Sequence, residues 1–344
     1  SAAMMKDAVE RFPCYTKAEY FDLGPVNRDE FRSYIKDMET KGLDFTELPG
    51  EIYAALSDAD VLQVHSAPVP KKVFQTAENL KLVISNRGGI ENIDLEAATE
   101  RNIPVLCNPA HNANAVAEMT IGLMIAETRN ISRNNISLVR DKKWYENPPN
   151  AGHIHELRSM TIGLIGYGAI GNLVAGMLRA FGSRILVYDP FINPEIAGTG
   201  VEVIPDLDTL LKQSDIVSLH TRVNEQTKGL IGARQLALMK PTAVLINTAR
   251  SALIDMGSLY EALKNRHIAG AALDVFPVEP LPPDSPLLDL ENVTLTCHKG
   301  GDTVESYRQS PFMVLEQARN YFQGKPVRFW INQKQIENQK LVRR

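Results

Sequence analysis

The sequence has few cysteines and no long apolar segment. Its three cysteines, Cys14, Cys107 and Cys297, include no Cys-x-x-Cys pair. This number and spacing argue against a disulfide framework and against a zinc site, so no metal is expected and a reducing, cytoplasmic environment is favoured. No stretch approaches the roughly 18 consecutive apolar residues that a membrane-spanning helix needs. The first residues also lack the hydrophobic segment of a signal peptide.

An excess of positive charge is missing as well. The formal net charge of the 344 residues is -4, which argues against a nucleic-acid or anionic-membrane partner. Hydrophobic residues make up 44% of the chain and charged residues 23%, as in an ordinary globular protein. The length predicts about two domains.

Three glycines, in contrast, form one short pattern with a characteristic spacing. Gly166, Gly168 and Gly171 lie between an apolar run, Thr161–Ile165, that predicts a buried strand and a segment with helical spacing, Leu173–Phe181. In dinucleotide-binding folds the first glycine permits a tight turn, the second lets the backbone approach a pyrophosphate, and the third lets the helix pack closely on the strand. The amino terminus of the helix offers unpaired N–H groups to the phosphates. The pattern predicts a nucleotide-binding turn, with an ordinary glycine-rich turn as the alternative.

An acidic residue after the next apolar run decides between these two readings. Asp189 follows Ile185–Tyr188 and lies 18 positions after Gly171. A carboxylate at this place accepts hydrogen bonds from ribose hydroxyls and repels the 2′-phosphate of NADP. None of the residues in Pro190–Asn193 is basic. The cofactor predicted is therefore NAD.

Short apolar runs alternate with helical stretches on both sides of the glycine pattern. The other predicted strands are Val61–Val64, Leu82–Ile84, Ile103–Leu106, Ile216–Leu219, Val244–Ile246, Ala269–Leu273 and Val293–Thr296. The predicted helices are Lys71–Glu78, Leu95–Arg101, Asn114–Lys142, Leu207–Gln213, Arg234–Leu238, Gly257–Asn265 and Pro311–Phe322. Asp206 and Asp255 are expected as N-caps. The alternation predicts an α/β protein with two parallel sheets.

Three residues with chemical potential follow predicted strands. Arg250 ends the segment after Val244–Ile246, Glu279 follows Ala269–Leu273, and His298 follows the last run. Arginine grips carboxylates in a bidentate manner, and histidine exchanges protons near neutral pH. A hydrogen-bonded glutamate would stabilise the charged imidazole. Each residue alone has a structural alternative, an ion pair or a solvated loop, but ligands bind beyond the carboxyl ends of strands in such sheets. Together they predict reduction of a 2-keto acid.

These motifs resemble the D-isomer-specific 2-hydroxyacid dehydrogenase family, which includes D-3-phosphoglycerate, D-lactate and glyoxylate/hydroxypyruvate enzymes. The resemblance runs from about Val61 to Asn332 and also includes Arg87–Asp94, Asn112–Glu118 and Met239–Pro241. It implies two doubly wound, Rossmann-like domains with a cleft between them. Residues 1–112 and 301–344 would form a discontinuous substrate domain, and residues 113–300 the NAD-binding domain, with hinges near Asn112 and Gly300. Family members are commonly homodimers built on the cofactor domain and the interdomain helix.

The resemblance also implies a set of site residues. Arg250, Glu279 and His298 would be catalytic, and the N–H groups around Gly88 and Gly89 would bind the substrate carboxylate. The cofactor contacts would be Gly166, Gly168, Ala169, Ile170, Gly171, Asp189, Thr221, Thr248, Ala249, Asp274 and Gly300. Beside the glycine pair, Arg87 would meet a second anionic or hydroxylated group, or else form a salt bridge with Glu91 or Glu118.

Some residues differ from the family pattern. Cys297 replaces a proline before the histidine, Ser251 and Thr242 replace glycines, and Lys299 replaces an apolar residue. The changes at Cys297 and Lys299 would alter the mouth of the site. The substrate side chain is not specified by any motif, because its pocket would come from loops around Ser66, Arg87 and Trp144–Pro149. Arg87 and Lys299 favour a small polar acid.

Two alternatives share the predicted fold. A formate dehydrogenase would resemble a branch with glutamine rather than glutamate beside the histidine, so Glu279 argues against it. A dinucleotide-sensing, non-enzymatic protein of the corepressor kind would retain the same three residues and bind protein partners. The expected partner is otherwise a small 2-keto or 2-hydroxy acid.

Overall fold

The computed structural model describes residues 2–11, 17–23, 30, 34, 37, 38, 41–148, 150–192 and 200–342. Cys14, Pro149 and Asn193 therefore lie outside the described residues. The chain divides into two compact units, called here unit 1 (Ser1–Asn112 with Thr303–Arg344) and unit 2 (Ala113–Asp302). The second boundary follows Asp302, whereas the sequence predicted it after Gly300.

The helices and strands are numbered along the chain. The described α-helices are α1 Ala2–Arg11, α2 Gly50–Leu56, α3 Lys71–Thr76, α4 Leu95–Glu100, α5 Ala113–Thr128, α6 Ile131–Val139, α7 Ala169–Phe181, α8 Leu207–Gln213, α9 Ala233–Leu238, α10 Met256–Lys264, α11 Val304–Phe322 and α12 Gln333–Val342. The described strands are β1 Val61–Val64, β2 Leu82–Ser85, β3 Val105–Leu106, β4 Thr161–Ile165, β5 Arg184–Tyr188, β6 Glu202–Val203, β7 Ile216–Leu219, β8 Val244–Asn247, β9 Gly270–Leu273 and β10 Val293–Leu295. None of these helices is long and apolar enough to span a membrane.

Unit 2 is a doubly wound sheet. Its seven strands are parallel and lie in the order β10-β9-β8-β7-β4-β5-β6. Alternate residues of the central strands enter two separate buried clusters, one containing Val217 and Leu245 and the other Ile216 and Val244. A sheet covered on both faces explains why its strands appear in the sequence as continuous apolar runs. The strand order reverses beside β4, where ligands bind in such sheets.

Unit 1 contains a smaller parallel sheet in the order β1-β2-β3. Val83 and Val105 pack against α2, α3 and α4 on one face. Leu82, Ile84 and Leu106 pack against α11 on the other face. The predicted α/β class is therefore confirmed, and the polar residues after β1, β2 and β3 share one edge of this sheet.

The predicted long helix over 114–142 is wrong, because two helices replace it. Asn130 has a positive φ of 55° and separates α5 from α6. Arg133 reaches back across this break to Glu127 at 2.6 Å, and both side chains are nearly buried. Asparagine tolerates left-handed backbone better than most residues. Apolar periodicity does not reveal such a break, because α6 continues with similar spacing.

The helix predicted at Pro311–Phe322 begins seven residues earlier, at Val304. Thr303 caps it by accepting a hydrogen bond from the N–H of Ser306 at 3.2 Å. Asp206 and Asp255 are N-caps as predicted, accepting from Thr209 and Ser258. Strand β6 and helices α1, α2 and α12 were not predicted; β6 has only two residues, and α12 carries few apolar ones.

Candidate active site

The glycine pattern forms a tight turn between β4 and α7. Gly166 has a φ of 99°, and a Cβ there would come within 2.8 Å of the backbone between His220 and Thr221. A Cβ on Gly171 would collide with the carbonyl oxygen of Gly166. Beside Gly168, in contrast, the position of a Cβ is open. The first and third glycines are thus required by the protein itself, whereas the space at the second faces outward.

Helix α7 begins directly after this open position. Its N-cap, Gly168, has no side chain to accept the first N–H groups, which belong to Ala169, Ile170 and Gly171. The first N–H groups of a helix also lack partners within the helix. The turn therefore presents unpaired donors and the positive end of a helix dipole, which is the arrangement that binds phosphates.

Asp189, at the end of β5, is tied into the same turn. Its Oδ2 accepts a hydrogen bond from the N–H of Tyr167 at 2.8 Å, and its Oδ1 accepts from Phe191 at 3.0 Å. The carboxylate is half-buried. Each oxygen retains a second lone pair, so the carboxylate can still accept hydrogen bonds from a ligand.

His220, under the glycine turn, was not singled out by the sequence. Its Nε2 lies 3.0 Å from Oγ of Ser218, and its Nδ1 is buried with no hydrogen-bond partner in the described part of the chain. Burial lowers the pKa of His220 to about 4. The ring is therefore neutral near pH 7, and it sits beside the backbone that Gly166 must approach.

The buried side-chain amide of Asn247 fixes the backbone of the segment after β8. Asn247 accepts from the N–H of Ala249 at 3.0 Å and donates to the carbonyl of Arg250 at 2.9 Å. The hydroxyl of buried Thr120 donates to the carbonyl of Val116, so Thr248 must donate in its 2.8 Å contact with Thr120.

Arg250 itself is exposed. Its Nη1 donates to the carbonyl of Ala249 at 2.8 Å, and its guanidinium forms no ion pair with a described residue. The ion-pair alternative weighed for this arginine is thus not observed, and most of its donors remain open to a ligand.

Asp274, after β9, holds the loop that carries the histidine. It is buried, at 1% exposure. Its carboxylate accepts from the hydroxyl of Thr296 at 2.6 Å, from the N–H of Lys299 at 2.8 Å and from the N–H of Gly300 at 2.7 Å. A Cβ on Gly300 would lie 3.0 Å from this carboxylate. The sequence did not indicate this role, because hydrogen bonds to backbone N–H groups leave no pattern.

His298 and Glu279 form a hydrogen-bonded pair. Nδ1 of His298 lies 2.7 Å from Oε2 of Glu279, and Oε1 of Glu279 accepts from the N–H of Phe276 at 2.9 Å. His298 has a positive φ of 52°, which turns it out of the line of β10. A carboxylate only accepts, so Nδ1 is the donor in this pair. Nε2 is left to exchange a proton with another molecule.

These four side chains come from neighbouring parts of one sheet edge. Arg250 follows β8, Asp274 and Glu279 follow β9, and His298 follows β10, and the sheet order is β10-β9-β8. In the described ranges no cluster of three or more histidine, cysteine, aspartate or glutamate side chains is arranged to hold a metal.

In unit 1 the predicted glycine pair follows β2. A Cβ on Gly88 would come within 2.8 Å of Cα of Pro109, and a Cβ on Gly89 would collide with the carboxylate of Glu91. Neither glycine N–H donates a hydrogen bond to a described residue. Arg87 pairs with Glu91 at 2.9 Å, which is one of the two partners considered from the sequence.

Two histidines that the sequence analysis did not select accompany Arg87. His65 follows β1, and His111 follows β3. Burial, with the charge of Arg87 and with His111, lowers the pKa of His65 to about 4. Burial and Arg87 also lower the pKa of His111, although its hydrogen bond to the carbonyl of Asn108 opposes this shift. Isolated histidines in a sequence give no signal of this kind; only strand order places them together.

Comparison with known proteins identifies the family. Residues 121–300 match the model of the D-isomer specific 2-hydroxyacid dehydrogenase, NAD binding domain. The chain is 41% identical over 296 residues to D-3-phosphoglycerate dehydrogenase of Methanocaldococcus jannaschii, covering 85% of this chain and 55% of that protein. It is 40% identical over 270 residues to hydroxypyruvate reductase of Thermotoga maritima, covering 77% and 86%.

A solved structure agrees with this result. The NAD-complexed form of a D-isomer specific 2-hydroxyacid dehydrogenase from Lactobacillus delbrueckii ssp. bulgaricus superposes with a TM-score of 0.73 at 28% identity, covering 87% of this chain and 96% of that one. The chain belongs to the D-isomer specific 2-hydroxyacid dehydrogenase family. It spans about half the length of the D-3-phosphoglycerate dehydrogenases that it matches. The predicted family and the predicted cofactor, NAD, are confirmed.

Proposed function

We propose that this protein is an NAD-dependent dehydrogenase that interconverts a small D-2-hydroxy acid and its 2-keto acid. The observation that carries the proposal is the 2.7 Å hydrogen bond between His298 and Glu279, which leaves Nε2 of the imidazole open. The relatives named above are dehydrogenases and reductases, which favours an enzyme over a nucleotide-sensing binding protein.

The residues of unit 2 suit NAD. The unpaired N–H groups at the start of α7 would hold the pyrophosphate, with the open space beside Gly168 admitting it. Asp189 would accept from the ribose hydroxyls and exclude a 2′-phosphate. The remaining contacts proposed are Gly166, Gly171, Thr221, Thr248, Ala249, Asp274 and Gly300. When bound, the cofactor supplies or accepts the hydride.

Side chains of the protein would transfer the proton and bind the substrate carboxylate. In reduction, Nε2 of His298 donates a proton to the oxygen on C2, and in oxidation it removes the proton from the hydroxyl. Glu279 stabilises the charged imidazole and fixes its orientation. Arg250, with no ionic partner in the described chain, grips the carboxylate and polarises the adjacent carbonyl. The N–H groups of Gly88 and Gly89, which donate to no described residue, are proposed as binding groups for a substrate carboxylate in unit 1.

The test is the oxidation of NADH in the presence of several 2-keto acids, with Arg250→Lys as the variant. Lysine keeps the charge but loses the planar fork, so KM for the keto acid should rise and kcat should fall, with NADH affinity nearly unchanged. A variant whose only defect is a lower Tm would show that Arg250 is structural. If the unmodified protein oxidises NADH with none of the keto acids, the proposed function is wrong.

We also propose that the protein forms a homodimer. Helix α6 exposes apolar side chains, with Ile131 at 53%, Leu138 at 47% and Val139 at 61% exposure. An exposed apolar helix face of this kind marks a protein interface. Light scattering should give twice the chain mass for the unmodified protein and a lower mass for Val139→Glu. A monomeric unmodified protein would contradict this proposal.

A further inference from the structure

The carboxyl edge of the sheet in unit 1 presents groups that the proposed reaction does not use. His65 follows β1, Arg87 follows β2 and His111 follows β3, and these three strands are neighbours in the sheet. The last residue of β1, Val64, pairs with the last residue of β2, Ser85. The N–H of Asn108 donates to the carbonyl of Arg87 at 2.9 Å, which fixes the segments after β2 and β3 to each other. Tyr307 of α11 lies beside His65, with 6.3 Å between ring centroids.

The two imidazoles are hydrogen-bonding groups without positive charge. Because both pKa values lie below that of an ordinary histidine, both rings are neutral near pH 7. Nδ1 of His111 lies 2.9 Å from the carbonyl of Asn108, which only accepts, so Nε2 of His111 is an acceptor. His65 forms no hydrogen bond with any residue in the described ranges. Within the described chain, its ring therefore has one donor and one acceptor without a partner.

The arginine of this cluster already has an ionic partner among the described residues. Arg87 is largely buried, at 23% side-chain exposure, and its Nη2 lies 2.9 Å from Oε2 of Glu91. The carboxylate of Glu91 lies against Gly89, where a Cβ would collide with it. A phosphate group entering here would meet two neutral imidazoles, a paired arginine and a carboxylate of its own sign. Phosphate sites instead supply unpaired cationic donors.

We infer that this edge of unit 1 binds an uncharged, hydroxylated side chain of the substrate, selected by His65 and His111, and that the Arg87–Glu91 pair disfavours a phosphorylated one. A hydroxyl both donates and accepts hydrogen bonds, which matches the one donor and one acceptor of a neutral imidazole, whereas a phosphate dianion only accepts. The inference rests on the proposed function, since it assumes that a 2-keto acid binds at Gly88 and Gly89. It separates this chain from relatives named for phosphoglycerate.

The first measurement compares three 2-keto acids that differ only at C3. With NADH, the unmodified protein should reduce hydroxypyruvate with a kcat/KM about tenfold above that for 3-phosphohydroxypyruvate and also above that for pyruvate, because an unmet polar group at the site costs about this much. A preference for the phosphorylated substrate would overturn the inference and leave the proposed function intact. Turnover of none of them would overturn the proposed function.

The variants test the two parts of the cluster separately. His65→Leu should lower kcat/KM for hydroxypyruvate about fivefold to tenfold more than that for pyruvate, and His65→Gln should restore part of the difference. Equal losses for both substrates would show that His65 is structural. Glu91→Gln releases Arg87, so the ratio of kcat/KM for 3-phosphohydroxypyruvate over hydroxypyruvate should rise about tenfold.

A matched control is available in unit 2. Asp208 pairs with Arg234 at 2.7 Å on an exposed surface, so Asp208→Asn also removes an arginine–carboxylate pair, outside unit 1, and should leave the substrate ratio unchanged. Binding gives a readout that does not depend on turnover: calorimetry with D-glycerate and 3-phospho-D-glycerate in the presence of NADH, which cannot oxidise them. Tighter binding of the phosphorylated acid, or an unchanged ratio in Glu91→Gln, would overturn the inference.

Discussion

The two sheet edges carry similar residue types but hold them differently. In unit 2, both oxygens of Asp274 accept from the loop that carries His298, and both oxygens of Glu279 are occupied by Phe276 and the imidazole. In unit 1, His65 has no hydrogen bond among the described residues, and Arg87 is paired within its own loop. Side chains fixed from two directions suit proton transfer, whose geometry must be kept within a fraction of an ångström. Unpaired groups suit recognition, because the substrate completes their hydrogen bonds.

The largest effect is expected at the carboxyl edge of the unit 2 sheet, when it loses the proposed proton donor, His298. His298→Ala should lower kcat by about a hundredfold or more, the usual size of general acid–base catalysis, and should leave NADH binding nearly unchanged. The control is His267→Ala, an exposed histidine before the amino end of β9 and thus at the opposite edge of the same sheet. Steady-state kinetics of both variants check this. Equal losses in the two would show that unit 2 simply tolerates histidine replacement poorly.

Acid should affect both units, because each buries a neutral histidine. The pKa values of His65 and His220 are lowered to about 4, below the ordinary value of 6.5, so the unfolded chain binds protons first as pH falls. Stability is therefore complete above pH 6.5 and is lost between pH 6.5 and 4. Each of these two histidines should lower the free energy of unfolding by about 2 kcal/mol at pH 5.

Urea unfolding at pH 7 and pH 5 measures this loss. His65→Gln and His220→Gln should each reduce the difference in unfolding free energy between the two pH values, whatever they cost at pH 7. A free energy of unfolding that is equal at both pH values would mean that neither ring is buried as a neutral group.

The strand ends of unit 2 were predictable from the sequence, and those of unit 1 were predictable only in part. Buried parallel strands appear as apolar runs, so β1, β4 and β7 have the predicted bounds. The catalytic candidates follow such runs directly. His65 and His111 also follow runs, but nothing local distinguishes them from surface histidines. Their significance comes from burial and from the pairing of strands that are distant in sequence.

The errors in the fold have equally specific causes. The break at Asn130 depends on a buried ion pair between Glu127 and Arg133, and each of these residues looks like a surface residue in the sequence. The first two turns of α11, after the cap at Thr303, carry mostly polar residues, with only Val304 and Tyr307 apolar or aromatic, so apolar spacing does not reveal where the helix starts. The role of Asp274 in holding the histidine loop rests on backbone donors, which every residue possesses.

A smaller effect is expected at Asp189, which follows β5 at the carboxyl edge of the unit 2 sheet. The unmodified protein should prefer NADH over NADPH by at least about tenfold in kcat/KM, or about 1.4 kcal/mol. Asp189→Ala should narrow this gap by removing the repulsion of the 2′-phosphate. It should also weaken NADH binding, because the N–H groups of Tyr167 and Phe191 lose their acceptor. Asp189→Asn keeps an acceptor oxygen and separates the two effects. Equal use of both cofactors by the unmodified protein would contradict this assignment.

The smallest effect concerns the stability of unit 1. Glu91 is exposed, at 58% of its side chain, and pairs with Arg87 without any other partner in the described chain. Water still reaches the side chain of Arg87, which is 23% exposed, so Glu91→Gln should lower the free energy of unfolding by about 1 kcal/mol. Asp208→Asn should cost less, because the side chain of Arg234 is 63% exposed. Urea unfolding of both variants at pH 7 checks this. A small cost would mean that a changed substrate ratio in Glu91→Gln reflects the released arginine and not a damaged fold. If Glu91→Gln instead lowers the free energy of unfolding by several kcal/mol, Glu91 is a structural residue. The carboxyl edge of the unit 1 sheet would then be held as firmly as that of unit 2.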